Sequence, residues 1–345
     1  MKIIIKALLV STTAFAVVVG FTINADAQKT GYHLLNKIEV GGDGGWDYLI
    51  ADADGGRLYV SHATHVVVID TKTDKVVGDI PNTNGVHGIA FDHKTGRGFV
   101  SDGRDNAVTI FDLTTLANLG SVKTGTNPDA IIFDPATSRV FAFNGRSNDA
   151  TVIEAADGKV AGTIPMGGKP EFAVSDEKGM VYVNIEDKNE ILAIDAKTLT
   201  VKSHWSLTPG DGPSGLAIDR KSNRLFSVCD KKMIVVDAAT GKVVADVATG
   251  NGTDAAGFDP ATKYAFSSNG EGTLTVVHED SADKFSIAEN VTTQRGARTM
   301  ALDTKTHKVY LATAQYGPTP AATAAQPHPR APMIPGSFVI LVFGK

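Results

Sequence analysis

An all-β fold, a seven-bladed β-propeller of four-stranded blades, is predicted by three observations. A unit of four short apolar runs separated by polar turns recurs along the chain. Two independent residue markers count the same period for it. No window holds the three-to-four apolar spacing of an amphipathic helix for three turns.

The unit is clearest in residues 129–164, DAIIFDPATSRVFAFNGRSNDATVIEAADGKVAGTI. Residues 130–133 are apolar throughout, as suits a strand covered on both faces, and end in the polar turn Asp134-Pro135-Ala136-Thr137-Ser138. Residues 140–143 and 150–153 read as a hairpin, with Asn144-Gly145 supplying residues that tolerate positive φ. The turn Ala155-Ala156-Asp157-Gly158 leads into residues 159–164, a strand of mixed character that suits an edge.

The acid ending the first strand stands at Asp52, Asp92, Asp134, Asp176, Asp219, Asp259 and Asp303, in steps of 40, 42, 42, 43, 40 and 44. The acid ending the third strand stands at Asp70, Asp112, Glu154, Asp195 and Asp237, in steps of 42, 42, 41 and 42. Four strands repeated at that period define propeller blades.

An open array would leave unpaired strand edges at both ends. Residues 32–40, YHLLNKIEV, read as a fourth strand with no blade of its own, and residues 338–343 as a third strand with nothing after it. The N-terminal strand is therefore predicted to complete the C-terminal blade, so that residues 28–345 form one ring.

Ahead of the ring, residues 1–27 read as a signal peptide. Lys2 and Lys6 precede an apolar run, and Ala25-Asp26-Ala27 fits a small-x-small cleavage pattern with the cut before Gln28. That predicts a periplasmic or secreted protein with no membrane span after cleavage; separately, a monomer is expected. Losing Lys2, Lys6 and Asp26 takes 33 basic and 38 acidic residues to 31 and 37, a net charge of −6. An acidic surface argues against affinity built on neutralising phosphates, so nucleic acid is a disfavoured partner. Cys229 is the sole cysteine, which excludes an internal disulfide and a haem c attachment motif, and its strand LFSVC reads as a buried, inert thiol. Residues 315–336 contain GPTPAATAAQPHPRAPMIPG, a proline-rich loop inserted in the last blade and expected to stay out of the sheet ladder with extended polyproline character.

The residues entering a propeller's innermost strands encircle one mouth of its channel. Five positions before each first-strand acid stand Asp47, His87, Asp129, Glu171, Ser214, Asp254 and Arg298. Four carboxylates, an imidazole, a hydroxyl and a guanidinium at one structural position point to a ligand-binding mouth. A divalent cation held by Asp129, Glu171 and His87 is one use of it, and a polar ligand anchored on Arg298 is another. The same residues also fit a solvated ring in which Arg298 neutralises acids and Asp129 or Asp254 accepts hydrogen bonds at turns.

Elsewhere the signals are weaker. His62 and His65 in SHATH fall at a hairpin tip and could share a metal, although two exposed histidines on a turn are ordinary. GGDGGWD and GNGTDAAG precede no helix, so neither is a phosphate cradle. No G-x-S-x-G elbow is present, and Ser, His and Asp are too scattered for a triad.

The second strands Leu58-Tyr59-Val60-Ser61, Val181-Tyr182-Val183-Asn184 and Val309-Tyr310-Leu311-Ala312 resemble the YVTN-type repeats of bacterial YncE-like β-propellers, as do VVVIDTKTDKVV, TVIEAADGKVA and MIVVDAATGKVV. The resemblance covers essentially all of residues 28–345. It implies an exported propeller from a group in which a DNA-binding role has been proposed. The fold it implies is similar to the haem d1 domain of cytochrome cd1 nitrite reductases and to gluconolactonase-type propellers. The expected function is a non-catalytic scaffold that binds a small polar ligand or a protein through its charged mouth and needs no cofactor. A metal-assisted lactonase or hydrolase using the same mouth is the alternative, and DNA binding comes third.

Overall fold

The computed structural model describes residues 30–321, 323, 329 and 331–345, so the predicted signal peptide and its cut before Gln28 lie outside the described residues. Seven four-stranded antiparallel sheets are formed. The unit read at residues 129–164 becomes the strands Pro128–Asp134, Arg139–Asn144, Asp149–Glu154 and Val160–Pro165. Burial falls outward across that blade. The second strand is buried except for Arg139, whereas Ile164 alone is buried in the fourth.

Each blade's innermost strand packs against the innermost strands of both neighbours, and Leu49–Asp52 of blade one meets Thr299–Asp303 of blade seven. The circle is therefore closed. The seal is the predicted one: His33–Glu39 pairs antiparallel with Val339–Gly344 as the outermost strand of blade seven. Ile38, 5% exposed, joins Leu49, Val60, Phe338 and Ile340 in one cluster that spans blades seven and one. Tyr32 donates its hydroxyl proton to the His307 carbonyl at 2.9 Å.

The acids that mark the period are turn residues. Asp134 accepts from the amide of Thr137 at 3.0 Å and from its hydroxyl at 2.6 Å. Asp70, at the end of a third strand, accepts from the Thr73 amide and hydroxyl, both at 2.7 Å. A short carboxylate that satisfies the backbone two or three residues on is the physical reason for an acid at these places. Glu154 departs from the pattern and instead accepts from Arg139 Nε at 2.9 Å.

Two expectations need correction. In the hairpin of blade three the left-handed residue is Asn148, at φ 57°, not Asn144 or Gly145. The chain turns over five residues, with the Asn148 amide donating to the Asn144 carbonyl at 3.0 Å, so the strained position falls at the far end. Asn144 is buried, its amide donating to Asp149 Oδ1 at 2.6 Å and Thr151 Oγ1 at 3.0 Å. The proline-rich loop, for its part, does join a ladder at its base. Tyr316 bridges Met333, Gly317 N donates to Pro332 O at 2.8 Å, and Ile334 N donates to Gln315 O at 2.8 Å. Proline lacks the amide, but its carbonyl still accepts, and Pro332 uses it.

Cys229 is fully buried, and burial pushes its thiol up to about 12. Among the described residues the helical piece is a single 3-10 turn, Glu186–Lys188, and no helix is long and apolar enough to cross a membrane.

Candidate functional site

The mouth residues sit where the innermost strands begin. In blades two, three, four and six the ladder is irregular there, between Val86 and Ile89, Pro128 and Ile131, Pro170 and Ala173, and Thr253 and Ala256. Those gaps hold His87, Asp129, Glu171 and Asp254. A bulge breaks the alternation of side chains and re-aims the residues within it.

Buried polar residues of the second strands lock these segments from the preceding blade. Ser101 donates to the Asp129 carbonyl at 2.5 Å, Asn184 Nδ2 donates to the Ser214 carbonyl at 2.8 Å, and the Ser268 hydroxyl bonds the Arg298 carbonyl. In blade one, the amide of Asp47 itself donates to Ser61 Oγ at 2.8 Å. Ser61 and Asn184 close the runs 58–61 and 181–184 in the second strands of blades one and four, so those positions have a structural job at the mouth.

The seven side chains divide into three groups. Asp47 Oδ2 lies 2.5 Å from His87 Nδ1, with Asp129 Oδ1 3.6 Å from the same nitrogen. The ligand atoms of Asp47, His87 and Asp129 all lie within 4.8 Å of one another. Glu171 stands outside this trio, 3.2 Å from Lys169 Nζ, which also pairs with Glu186. Arg298 Nη1 donates to Asp254 Oδ1 at 2.9 Å, and Ser214 Oγ to the same oxygen at 3.3 Å. Asp254 thus accepts from side chains of other blades, and Asp129 faces His87 of the neighbouring blade, rather than capping turns. The group suited to a cation includes Asp47 and lacks Glu171.

The electrostatics follow from burial. Asp254 is raised to about 7, first by burial and then by Asp47 and Asp129, against the pull of Arg298. Burial also raises Asp129, opposed by His87, and raises Glu171, helped by the charge on Asp129 and opposed by Lys169. His87 is pulled down by burial, but the Asp47 hydrogen bond and the surrounding acids outweigh that and raise it. Asp129 Oδ1, Asp254 Oδ2 and the Tyr48 hydroxyl are buried with no hydrogen-bond partner. Groups left so cost about 1–3 kcal/mol each, which a cation or polar ligand would offset.

Tyr48 is a residue that sequence reasoning missed. It follows Asp47 as Phe172 follows Glu171, and the two rings meet at 4.4 Å although blades one and four are not neighbours. The pair therefore crosses the axis and stands at the head of a channel cavity of about 270 Å³ lined by the innermost strands. Burial, then Asp129, Glu171, Asp47 and Asp254, hold the Tyr48 hydroxyl well above its ordinary value, as a central position requires. A signal for it was present: the other blades carry Gly88, Ala130, Gly215, Ala255 and Thr299 at this position, all small.

Beside the ring lies a larger cavity of about 610 Å³, lined by Gly44, Trp46, Arg295, Arg298, Tyr316 and Met333 among others. The base of the blade-seven loop is one wall, so loop and mouth form one site. Arg295 and Arg298 are both exposed there, and among the described residues Arg295 forms no ion pair.

Fold and site together define a β-propeller with a charged, loop-walled mouth. No family model matches the chain, and no curated protein matches it. Solved structures do. Hydrazine synthase of Kuenenia stuttgartiensis matches at TM-score 0.68 and 15% identity, over 85% of this chain and 96% of that one. A chain of the mitotic checkpoint complex matches at 0.70 and 13%, over 100% and 99%. The WD40 repeats of RRP9 match at 0.74 and 8%, over 92% and 99%. Likeness at these identities is likeness of fold.

Proposed function

We propose that this chain is an exported, non-catalytic binding propeller that takes a small polar ligand with an anionic group into the cavity between its mouth and the blade-seven loop. The carrying observation is that cavity, which sets Arg295 and Arg298 beside Trp46 and Tyr316. Guanidinium groups supply paired donors for carboxylate or phosphate, and the aromatic walls supply apolar area. Export is read from residues 1–27 and from the resemblance to YncE-like repeats.

Thermal melts with citrate, gluconate and glycerol phosphate test this reading. At least one should raise the melting temperature. Its affinity should weaken at least about tenfold in both Arg295→Ala and Arg298→Ala, as loss of a charge-assisted hydrogen bond implies. Binding that both variants leave intact would place the ligand elsewhere, and no binding by any of the three would count against the anionic class.

A second reading, a metal-assisted lactonase or hydrolase, draws on the Asp47, His87 and Asp129 trio. A cation there would polarise a carbonyl or activate water. Stoichiometric metal in the purified protein, lost in Asp129→Ala and His87→Ala, would favour it.

A further inference from the structure

Away from the mouth, among the described residues, the His62 imidazole is buried without a hydrogen-bond partner. His62 closes the second strand of blade one at 2% exposure, and neither ring nitrogen has a hydrogen-bond partner. The expectation of two exposed histidines at this tip therefore fails for His62. Its ring lies against Phe338 with centroids 4.7 Å apart, and beside His65 at 4.9 Å. The fit depends on Gly42, since a Cβ there would stand 2.7 Å from His62 Cε1.

His62 and His65 are register partners across a two-residue turn. Directly opposite residues hold their Cβ atoms about 5 Å apart, a spacing from which two imidazoles can reach one ion. A cavity of about 270 Å³ opens on both rings and on Asp43 and Asp79. His65 Nε2 lies 3.7 Å from Asp79 Oδ1. Both ring nitrogens of His62 lack a hydrogen-bond partner, so the lone pair of its neutral imidazole is available to an ion. As the rings stand, these ligand atoms are more spread than the mouth trio. His65 is partly exposed, whereas His62 is held by its packing.

We infer that His62, His65 and Asp79 bind one divalent transition ion of the zinc, copper or nickel class, with Asp43 or water completing the shell. Two nitrogens and a carboxylate suit such ions, while calcium and magnesium want oxygen throughout. The location gives the ion a structural consequence. Gly42 and Asp43 lie just beyond the closing strand His33–Glu39, and His62 belongs to blade one, so the ion would staple the seam of the ring.

The test uses the purified protein without a histidine tag, stripped by chelator and titrated with zinc and with nickel by calorimetry. One ion per chain is expected, with a rise in melting temperature. His65→Ala and Asp79→Asn should each weaken binding at least about tenfold. His65→Gln, which keeps the side-chain volume, should show the same loss, and Asp47→Asn and Asp129→Asn should leave affinity unchanged. Absence of binding overturns the inference. So does an ion retained in His65→Ala or His65→Gln, or one lost in Asp47→Asn, which would place it at the mouth.

Discussion

Gly103 decides where His87 can sit. A Cβ on it would lie 2.7 Å from His87 Nε2 and 2.8 Å from Cδ2, in a place where the backbone is not left-handed, so the glycine is needed for space alone. Its phrase, Asp102-Gly103-Arg104, has counterparts in Asn144-Gly145-Arg146 and Asn269-Gly270-Glu271, whose glycines lie against Asp129 and Arg298. Gly103→Ala should therefore leave the fold intact and force the imidazole to turn out of its alignment with Asp47. Since that hydrogen bond helps to raise the His87 pKa, the pKa should fall toward the ordinary value of about 6.5. A histidine titration followed by NMR reads the change directly, and an unaltered His87 curve would show that the ring is not pressed against Gly103.

At the scale of elements, the strands were legible because their turns demand particular residues. The acid that caps each turn recurs whether or not the strand beside it varies, and counting those acids found the blades. The closing strand was legible by subtraction, as a strand with no blade answering a blade with no fourth strand. The base of the blade-seven loop was not legible, because Tyr316 and Met333 pair through backbone groups that proline-rich flanks disguise. The closing strand also makes a quantitative claim. Ile38 is the residue of His33–Glu39 that is buried, whereas Leu34 is 43% exposed. Ile38→Ala should cost about 2–5 kcal/mol in urea unfolding and Leu34→Ala much less. Equal effects would mean that the strand is pinned by its ladder rather than by its contact with blade one.

The whole molecule brings together what no single blade contains. Counting one position through seven repeats named the mouth residues, but the Tyr48–Phe172 contact and the Lys169 pairing depend on how blades are rotated about the axis, which a linear pattern does not carry. The same convergence sets a pH dependence. Asp254 is raised to about 7 by burial and by acids of other blades, and Asp129 and Glu171 are raised as well. Above the ordinary carboxylate value of about 4 the unfolded chain has released these protons, while the folded ring still holds them. Over that interval the native state binds more protons, so stability falls as pH rises, until each folded carboxylate has ionised. The raised His87 acts with the same sign from about 6.5 upward. The melting temperature should thus decline between pH 5 and pH 8, with the Asp254 share lost by about pH 7. In Asp254→Asn, which cannot ionise, the decline should be shallower. Matching slopes in the two proteins would show that Asp254 ionises as freely in the ring as in the unfolded chain, and that its neighbours do not crowd it across the axis.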